Sequence, residues 1–423
     1  MVLPKTSSKY VVILLSMGLG ACTSDISSND VSTEDVASVS TFTQVDPFEQ
    51  PAAFCSAALD SASVQLNDFR NLYTDPNKIP RSFNDGENDN KARLVPAKDW
   101  TSGFVAGSFW YIYEHTQDPT WRATAQEWTY ALEEQQFHKR THDVGFIMNN
   151  SYGNGLRLTG NEAYKPILVQ TADTLMLRFN PTVGATLSWD FGTWEFPVII
   201  DNMMNLELLF EATKFTGDDK YADAAISHAT VTMNNHFRDD YSSYHVVDYS
   251  KTTGNAIHKQ THQGINDQSD WARGQAWGAY GYTMMYRYTN DLAFLNQAKN
   301  IADFFLSHPN LPIDSVPYFD FDAPDFDDVP NYRDSSAASL MASNLLELAS
   351  YVETADAERY RQAALAMLAS LSSPAYLAGK GENGSFLLKQ ATGNYPRNDE
   401  LSGALNYADY YYLEALLRCK NSF

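Results

Sequence analysis

An internal repeat limits the possible folds of this chain more than any other feature of its sequence. Each copy has a threonine, an Asp or Asn one to three positions later, and an aromatic residue that follows. The copies lie at residues 116–121, 159–164, 216–221 and 289–294, with a looser one at 354–360. Asp and Asn favour helix N-termini because their side chains accept hydrogen bonds from free backbone N–H groups. The repeat therefore predicts a series of helical hairpins.

Two kinds of helix are predicted to alternate around these turns. The segments before the turns are apolar nearly all round, which is typical of buried inner helices, and they include 103–115, 202–215 and 274–288. The segments after the turns are apolar on one face only, as Phe294, Ile301 and Phe305 illustrate. Together with a first helix at 53–72 and a last helix at 405–419, these segments give about twelve predicted helices. Because the last helix has no polar face to end an open solenoid, we predict an all-α fold closed as an (α/α)6 barrel.

The first fifty residues differ from the rest in composition. Lys5 and Lys9 precede a short apolar run at 11–15, and Cys22 follows small residues. This pattern predicts a lipoprotein signal peptide at residues 1–22 with lipidation of Cys22, and the alternative is an ordinary cleavage site beside an incidental cysteine. Residues 23–50 have no usable period and predict a disordered tether. We expect the catalytic domain, 51–423, to be held on the periplasmic or surface face of a bacterial cell envelope by this lipid alone.

Cysteine usage and charge give further expectations. Cys55 and Cys419 remain after lipidation, and such a pair permits a disulfide in an exported protein. A body of this size is stable without one, so two separate buried thiols are the preferred interpretation. The net charge of −22 argues against nucleic acid or an anionic membrane face as a partner. The sequence does not specify an oligomeric state.

Two aspartates lie against apolar neighbours near the starts of predicted inner helices. Asp201 interrupts the largely apolar run 194–206, and Asp143 lies in the segment 142–146. If Asp201 is buried, desolvation raises its pKa and lets it act as a general acid near neutral pH. Inner helices of a barrel begin around one mouth, so the two carboxylates are expected to share a pocket, as in sugar hydrolases. The alternative for each is a capping or hydrogen-bonded core aspartate.

Further candidate site residues occur near other inner-helix starts. They offer an imidazole, an amide, a guanidinium that can clamp a carboxylate and indoles that can stack on a sugar, in His245, Gln263, Arg273, Trp277 and Trp100. Structural alternatives are a salt-bridged arginine and a hydrogen-bonded histidine. The acidic run 320–328 lacks the Gly and terminal Glu of an EF-hand loop, and no zinc-ligand spacing is present. We therefore predict no metal and no cofactor.

Eight segments occur in order along nearly the whole folded body. They are DWTSGF (99–104), HDVGF (142–146), IDNMMN (200–205), SYH (243–245), THQG (261–264), WARGQAW (271–277), RDSSA (333–337) and DYYYLEAL (409–416). Together they resemble one enzyme family, the unsaturated glucuronyl hydrolases, family 88 of the glycoside hydrolases. The resemblance implies an (α/α)6 barrel that removes the 4,5-unsaturated uronic acid from the non-reducing end of polysaccharide-lyase products.

The resemblance also implies a chemistry and residue roles. In this family the double bond is hydrated: an acid protonates C4, water adds at C5, and the resulting hemiketal opens and releases the sugar. By its matching segment Asp201 is the proton donor that then activates water, and Asp143 orients the sugar and stabilises the developing positive charge. The matched positions that hold the sugar and its carboxylate are His245, Gln263 and Arg273, and those that form stacking walls are Trp100 and Trp277.

Substrate preference does not follow from the resemblance. Residues 387–397 replace a segment that usually holds a histidine near the leaving sugar, and Lys389 and Arg397 there either meet a sulfate or are solvated. Two other functions stay open, an unsaturated rhamnogalacturonyl-type hydrolase and a non-catalytic surface glycan-binding lipoprotein. The Arg-Gly-Gln-x-Trp form of segment 273–277 favours the glucuronyl group. The parent polysaccharide, its linkage and its sulfation are not specified.

Overall fold

The computed structural model describes residues 45–85 and 90–423. The predicted signal peptide, the lipidated Cys22 and most of the tether lie outside the described residues. In the part of the chain that the structure covers, no helix is both long enough and apolar enough to cross a membrane.

The described chain is mainly helical. In order, its α-helices are α1 (Pro51–Leu72), α2 (Ser102–Thr116), α3 (Pro119–Tyr130), α4 (Val144–Met148), α5 (Asn154–Thr159), α6 (Tyr164–Met176), α7 (Glu207–Thr216), α8 (Lys220–Asn235), α9 (Ala272–Thr289), α10 (Leu292–Ser307), α11 (Ser335–Leu348), α12 (Thr354–Leu371) and α13 (Asn406–Ser422). A π-helical turn, Asn149–Gly153, joins α4 to α5, and a 3-10 helix, Ile200–Asn205, precedes α7. Taking each of these joined pairs as one segment, and leaving out four 3-10 helices of three to five residues, gives twelve helical segments over residues 45–85 and 90–423.

The segments alternate between an inner and an outer layer. The inner layer consists of α2, α4–α5, the 3-10 helix with α7, α9, α11 and α13. Helices α9, α11 and α13 are buried along nearly their whole length, whereas the outer helices bury one face. The last helix, α13, packs against α11 on one side and against α1 and α2 on the other. The ring is therefore closed, and the predicted (α/α)6 barrel is confirmed.

The hairpin turns show why the repeat has its sequence. In each of the four clear copies the threonine hydroxyl accepts a hydrogen bond from the N–H two residues later. The following Asp or Asn then accepts from the N–H two residues further on, at the start of the next helix. The residue between them has a left-handed φ near +60°, and the chain places Gln117, Gly160, Gly217 and Asn290 there. These local bonds end one helix and start the next.

Ring closure also decides the state of the two cysteines. Cys55 in α1 and Cys419 in α13 form a disulfide with a Cα–Cα distance of 6.1 Å. The preferred interpretation of two separate thiols was therefore wrong. The pair is 364 residues apart in sequence, but the last inner helix lies against the first outer helix, which brings the two side chains together.

Three small antiparallel sheets, which the sequence analysis did not anticipate, lie between the helices. The strands are β1 (Ile79–Phe83), β2 (Arg93–Val95), β3 (Phe179–Asn180), β4 (Ala185–Thr186), β5 (Pro197–Ile199), β6 (Val246–Tyr249), β7 (Ala256–Gln260) and β8 (Ala404–Leu405). Their orders are β2-β1-β8, β3-β4 and β5-β6-β7. In the third sheet Ile199 pairs with Val246, which in turn pairs with Gln260. The loops that carry Asp201, His245 and Gln263 therefore begin or end at the same end of these three strands.

Candidate active site

Asp201 occupies the first turn of the 3-10 helix, directly after β5. The Ile200 N–H donates to the His245 carbonyl oxygen at 3.0 Å, which fixes this turn against β6. Asp201 is 8% exposed, and its Oδ2 has no hydrogen-bond partner in the described residues. Burial raises the pKa of Asp201 to about 7, the nearby Asp143 charge adds to this, and the Arg273 charge opposes it. Asp201 can therefore hold a transferable proton near neutral pH.

Asp143 lies just before α4 in a different environment. Thr141 Oγ1 donates to Asp143 Oδ2 at 2.6 Å, and His142 Nε2 lies 3.2 Å from Asp143 Oδ1. Both Asp143 oxygens thus lie beside a polar group, whereas Asp201 Oδ2 has no hydrogen-bond partner among the described residues. The Asp143 charge contributes to the raised pKa of Asp201, so the two acids interact electrostatically, and the shared substrate pocket stays a prediction.

His245 stands beside Asp201 with one ring nitrogen free. The His262 N–H donates to His245 Nδ1 at 3.1 Å, so in the neutral ring the proton is on Nε2. Nε2 faces Asp201 Oδ2 at 3.7 Å, which is beyond hydrogen-bond distance. Burial, together with the charges of neighbouring groups, lowers the pKa of His245 well below its usual value, and the ring stacks on Trp271 with centroids 4.4 Å apart. His245 is therefore a neutral donor aimed at the free side of Asp201.

Arg273 does not have the placement expected of a substrate clamp. Its side chain is 1% exposed and forms an ion pair with the buried Asp334. Nη1 also donates to the Thr392 carbonyl at 2.7 Å, and Nη2 donates to the Gly393 carbonyl at 2.7 Å. Both Nη atoms are held by protein acceptors in this arrangement, and the expected grip of Arg273 on a substrate carboxylate stays a prediction. Arg273 acts on the site through its charge, which opposes the rise in the pKa of Asp201.

Gln263 is joined to the same loop as Arg273. Its Nε2 donates to the Gly393 carbonyl at 2.8 Å, and its side chain is only partly buried. The segment that leads to Gly393 is held by Asp409 of α13, whose carboxylate accepts hydrogen bonds from the N–H groups of Leu387 and Leu388, both at 2.9 Å. The residues around Gly393 therefore form a rigid edge, and Gln263 stays a candidate for sugar binding.

The two predicted stacking tryptophans differ in exposure. Trp100 is partly exposed and lies 5.0 Å from the Tyr407 ring and 5.7 Å from the Phe146 ring, between centroids. Trp277 is completely buried, with its ring packed against Phe146 and Tyr411. Trp277 has no exposed face in this arrangement, and its role as a stacking wall stays a prediction. It is an inner-helix residue that supports Phe146.

An aromatic cluster that was not predicted from the sequence lies next to His245. Trp189 stacks on Phe191 with centroids 4.7 Å apart, and Trp194 and His262 lie 5.4 Å and 5.1 Å from Trp189. Phe191 is half exposed, and the Arg397 guanidinium lies 6.0 Å from its ring centre. The density of aromatic residues in segment 189–194, directly before the Asp201 run, was a signal that could have indicated this wall. Lys389 is held by the Pro374 carbonyl instead of facing the cluster.

Among the residues that the structure describes, one group of side chains could hold a cation. Asp270, His308 and Asp322 each offer a ligand atom within 4.8 Å of the others. Arg238 already pairs with Asp270 at 2.9 Å, so a metal would compete with a guanidinium. In the acidic run, Asp320 accepts the Ile265 N–H and the Ser269 hydroxyl and thereby fixes loop 261–270. The absence of a metal stays a prediction.

A cavity of about 870 Å³ opens at the other end of the inner helices. Its wall contains ion pairs such as Arg157 with Glu114 and Arg287 with Glu207. Neither Asp143 nor Asp201 lines it. Phe146 borders this cavity and also contacts Trp100, so its ring lies between the two ends of the barrel.

Comparisons with known proteins identify the family of this chain. The model of Glycosyl Hydrolase Family 88 matches residues 77–418. An unsaturated glucuronyl hydrolase of Formosa agariphila is 47% identical over 361 residues, 84% of this chain and 88% of the relative. An unsaturated chondroitin disaccharide hydrolase of Streptococcus pneumoniae is 32% identical, over 85% and 90%.

Solved structures give the same result. A crystal structure of an unsaturated glucuronyl hydrolase specific for heparin has a TM-score of 0.83 and 46% identity, over 87% of this chain and 97% of that one. The structure of the enzyme from Bacillus sp. GL1 has a TM-score of 0.77 and 33% identity, over 85% and 94%. The chain therefore belongs to family 88 of the glycoside hydrolases.

Proposed function

We propose that this protein removes the 4,5-unsaturated uronic acid from the non-reducing end of oligosaccharides released by polysaccharide lyases. The observation that carries the proposal is the asymmetry of the two acids. Asp201 has a pKa raised to about 7 and an Oδ2 without a partner among the described residues, whereas Asp143 accepts a hydrogen bond on Oδ2 and has His142 Nε2 3.2 Å from Oδ1. A proton donor beside a fixed carboxylate suits the hydration of an enol ether. The names of the family relatives support this reaction.

In the proposed reaction the Asp201 proton moves to C4, and the double-bond electrons form the new C4–H bond. Positive charge then develops at C5 and the ring oxygen, where the Asp143 carboxylate stabilises it. Water adds to C5 and gives its proton to the Asp201 carboxylate, which restores the acid. The C5 hemiketal opens to a ketone, and the former anomeric carbon releases the leaving sugar as an alcohol. His245 Nε2–H, which faces Asp201, is placed to hold a substrate or water oxygen there.

The leaving sugar is proposed to bind at the aromatic cluster of Trp189, Phe191, Trp194 and His262. The half-exposed Phe191 ring offers an apolar face to a sugar ring. Arg397 is exposed beside it and forms no ion pair with any residue between 45–85 or 90–423. An unpaired guanidinium favours a leaving sugar that carries a carboxylate or a sulfate.

A panel of lyase-generated disaccharides, sulfated and unsulfated, tests this function through loss of the absorbance of the conjugated uronate. We expect turnover by the wild type, and losses of at least about 10²-fold in Asp201→Asn and Asp143→Asn. Binding without any turnover would support the glycan-binding lipoprotein instead. Turnover of unsaturated rhamnogalacturonan fragments alone would identify the other hydrolase class.

We also propose that the protein is anchored to a bacterial cell envelope by a lipid on Cys22. The basic residues, short apolar run and small residues before Cys22 support this location. Cys22→Ser should move the protein from the membrane fraction to the soluble fraction without changing kcat, because the tether separates anchor and catalyst. Unaltered membrane association would contradict the lipidation.

A further inference from the structure

A chain of hydrogen bonds joins the two segments that carry the acids. The Phe146 N–H donates to Asn205 Oδ1 at 2.8 Å, and Asn205 Nδ2 lies 3.3 Å from His142 Nδ1. His142 Nε2 lies 3.2 Å from Asp143 Oδ1. Asn205 and His142 are buried, at 0% and 1% exposure, and 63 residues separate them in sequence. Asn205 ends the 3-10 helix that holds Asp201, so this chain connects one acid's helix to the other acid's side chain.

The direction of each hydrogen bond follows from the first one. Because Asn205 Oδ1 accepts from a backbone N–H, its amide nitrogen faces His142 and can only donate. His142 Nδ1 must therefore be the acceptor. Burial lowers the pKa of His142, outweighing the effect of Asp143 and of a contact with Asn202, so the ring is neutral near pH 7. Its single proton is then on Nε2, which lies 3.2 Å from Asp143 Oδ1.

We propose that Asn205 and His142 are positioning residues that hold the Asp143 carboxylate in one orientation relative to Asp201. Thr141 completes the arrangement by donating to the other oxygen of Asp143 at 2.6 Å. The carboxylate is therefore held by a hydrogen bond at one oxygen and has the His142 N–H beside the other, so a rotation would disrupt both contacts. This inference rests on the proposed function, since the two acids form a catalytic pair only there.

Close packing between the two segments supports this role. A Cβ on Gly145 would lie 2.5 Å from Asn205 Oδ1 and 2.8 Å from Asn205 Cα, which is closer than real contacts. Only glycine lets the start of α4 approach the 3-10 helix this closely. The segments are thus in direct contact at the residue that starts the hydrogen-bond chain, and a displacement of either one is transmitted to the other.

The first test compares His142→Leu and Asn205→Leu with His142→Gln, using kcat, KM and the melting temperature Tm on a disaccharide that the wild type cleaves. The two leucine variants should lose about 10²-fold in kcat, with KM changed less than about threefold, because a misplaced group slows the reaction more than it weakens binding. His142→Gln keeps a donor near the position of Nε2 and should recover at least about tenfold of the loss in kcat.

A matched control is His115→Leu. His115 Nε2 contacts Asp60 Oδ1 at 2.8 Å, so this is also a histidine–aspartate pair, but at the far end of α2. It should leave kcat unchanged. Leucine variants at 142 and 205 that lower Tm but keep the kcat of the folded enzyme would assign a purely structural role and overturn the proposal.

Asn205→Asp tests the direction of the chain. An aspartate at position 205 accepts from the Phe146 N–H but cannot donate to His142 Nδ1. The contact between the two side chains then forms only when Nδ1 also carries a proton and donates it to the carboxylate. The charged groups that act on His142 are Asp143 and Arg178, and the new carboxylate would favour the charged ring. The kcat of this variant, relative to wild type, should fall as the pH rises and the ring loses its second proton. A ratio independent of pH would contradict the assigned direction.

A readout without substrate separates this inference from the proposed function. Nitrogen-15 NMR of labelled histidine distinguishes protonated from unprotonated ring nitrogens, and His142→Gln identifies the signals of His142 among the nine histidines. We expect an unprotonated Nδ1 and a protonated Nε2 at pH 7. A protonated Nδ1 would overturn the hydrogen-bond chain whatever the activity, whereas inactivity of the wild type on every disaccharide would refute the proposed function alone.

Discussion

Replacing Asp201 by asparagine should abolish turnover and at the same time stabilise the protein at neutral and alkaline pH. Burial raises the pKa of Asp201 in the folded state to about 7, whereas in the unfolded chain it is about 3.9. Between these values the unfolded state releases the proton and the folded state keeps it. Stability is therefore full below the unfolded pKa and decreases as the pH rises to about 7. Asparagine is neutral throughout and does not have this dependence.

The size of the effect follows from the two pKa values. A shift of about three pKa units lowers the free energy of unfolding of the wild type by about 4 kcal/mol at pH 8. At pH 5 the loss is about 1.5 kcal/mol, because this pH is only about one unit above the pKa of the unfolded chain. With an unfolding entropy of about 2.1 cal/mol/K per residue, a body of roughly 370 residues changes its Tm by about 5 °C and about 2 °C respectively. The substitution breaks no hydrogen bond at the Oδ2 position, because that oxygen of Asp201 has no partner among the described residues.

Thermal melts of wild type and variant at both pH values, together with kcat, measure these effects. The matched control is Asp143→Asn, because there the new amide would face a donor from Thr141 or His142 and should lower Tm at both pH values. In the wild type, kcat/KM should decline above pH 7 as Asp201 loses its proton. An Asp201→Asn variant whose gain in Tm does not grow between pH 5 and pH 8 would refute the raised pKa and, with it, the role of proton donor.

Three further predictions follow from the placement of other residues. Arg273→Lys should lower Tm by about 4 °C, which corresponds to roughly 3 kcal/mol, because one ammonium group cannot reach Asp334 and two carbonyl groups together. A raised KM with an unchanged Tm would instead support a role of Arg273 as a clamp on the substrate carboxylate. Cys55→Ser should destabilise the protein by up to roughly 5 kcal/mol in unfolding measurements while kcat at 25 °C stays unchanged, and reductant should have no effect on its Tm. Phe191→Ala should raise KM about fivefold for disaccharides, equivalent to about 1 kcal/mol of lost stacking, and an unchanged KM would remove the aromatic cluster from the site.

Features that depend on nearby residues could be predicted from the sequence. The hairpin turns use hydrogen bonds between residues two positions apart, so Thr216 and Asp218 already contain the information for their turn. Layer assignment followed from the distribution of apolar residues along each helix. The unusual environment of Asp201 was likewise visible, because its apolar neighbours in sequence are also its neighbours in the folded turn.

Features that depend on contacts between distant segments required the tertiary structure. Arg273 was recognisable as part of a motif, but only the fold shows that Asp334 and the loop at Gly393 hold its guanidinium. Sheet pairing placed His245 beside Asp201, a proximity that the spacing of the two residues does not contain.

The sequence by itself determined the helical hairpins, their alternation and the candidate acids, because turn chemistry and apolar periodicity act over a few residues. Only the tertiary structure decided which polar groups face each other: Cys55 with Cys419, Asn205 with His142, and both Nη atoms of Arg273 with the barrel wall. The physical reason is that hydrogen bonds and disulfides need their atoms within a few ångströms. For residues far apart in sequence, that distance is set by ring closure and strand register, which no single segment encodes.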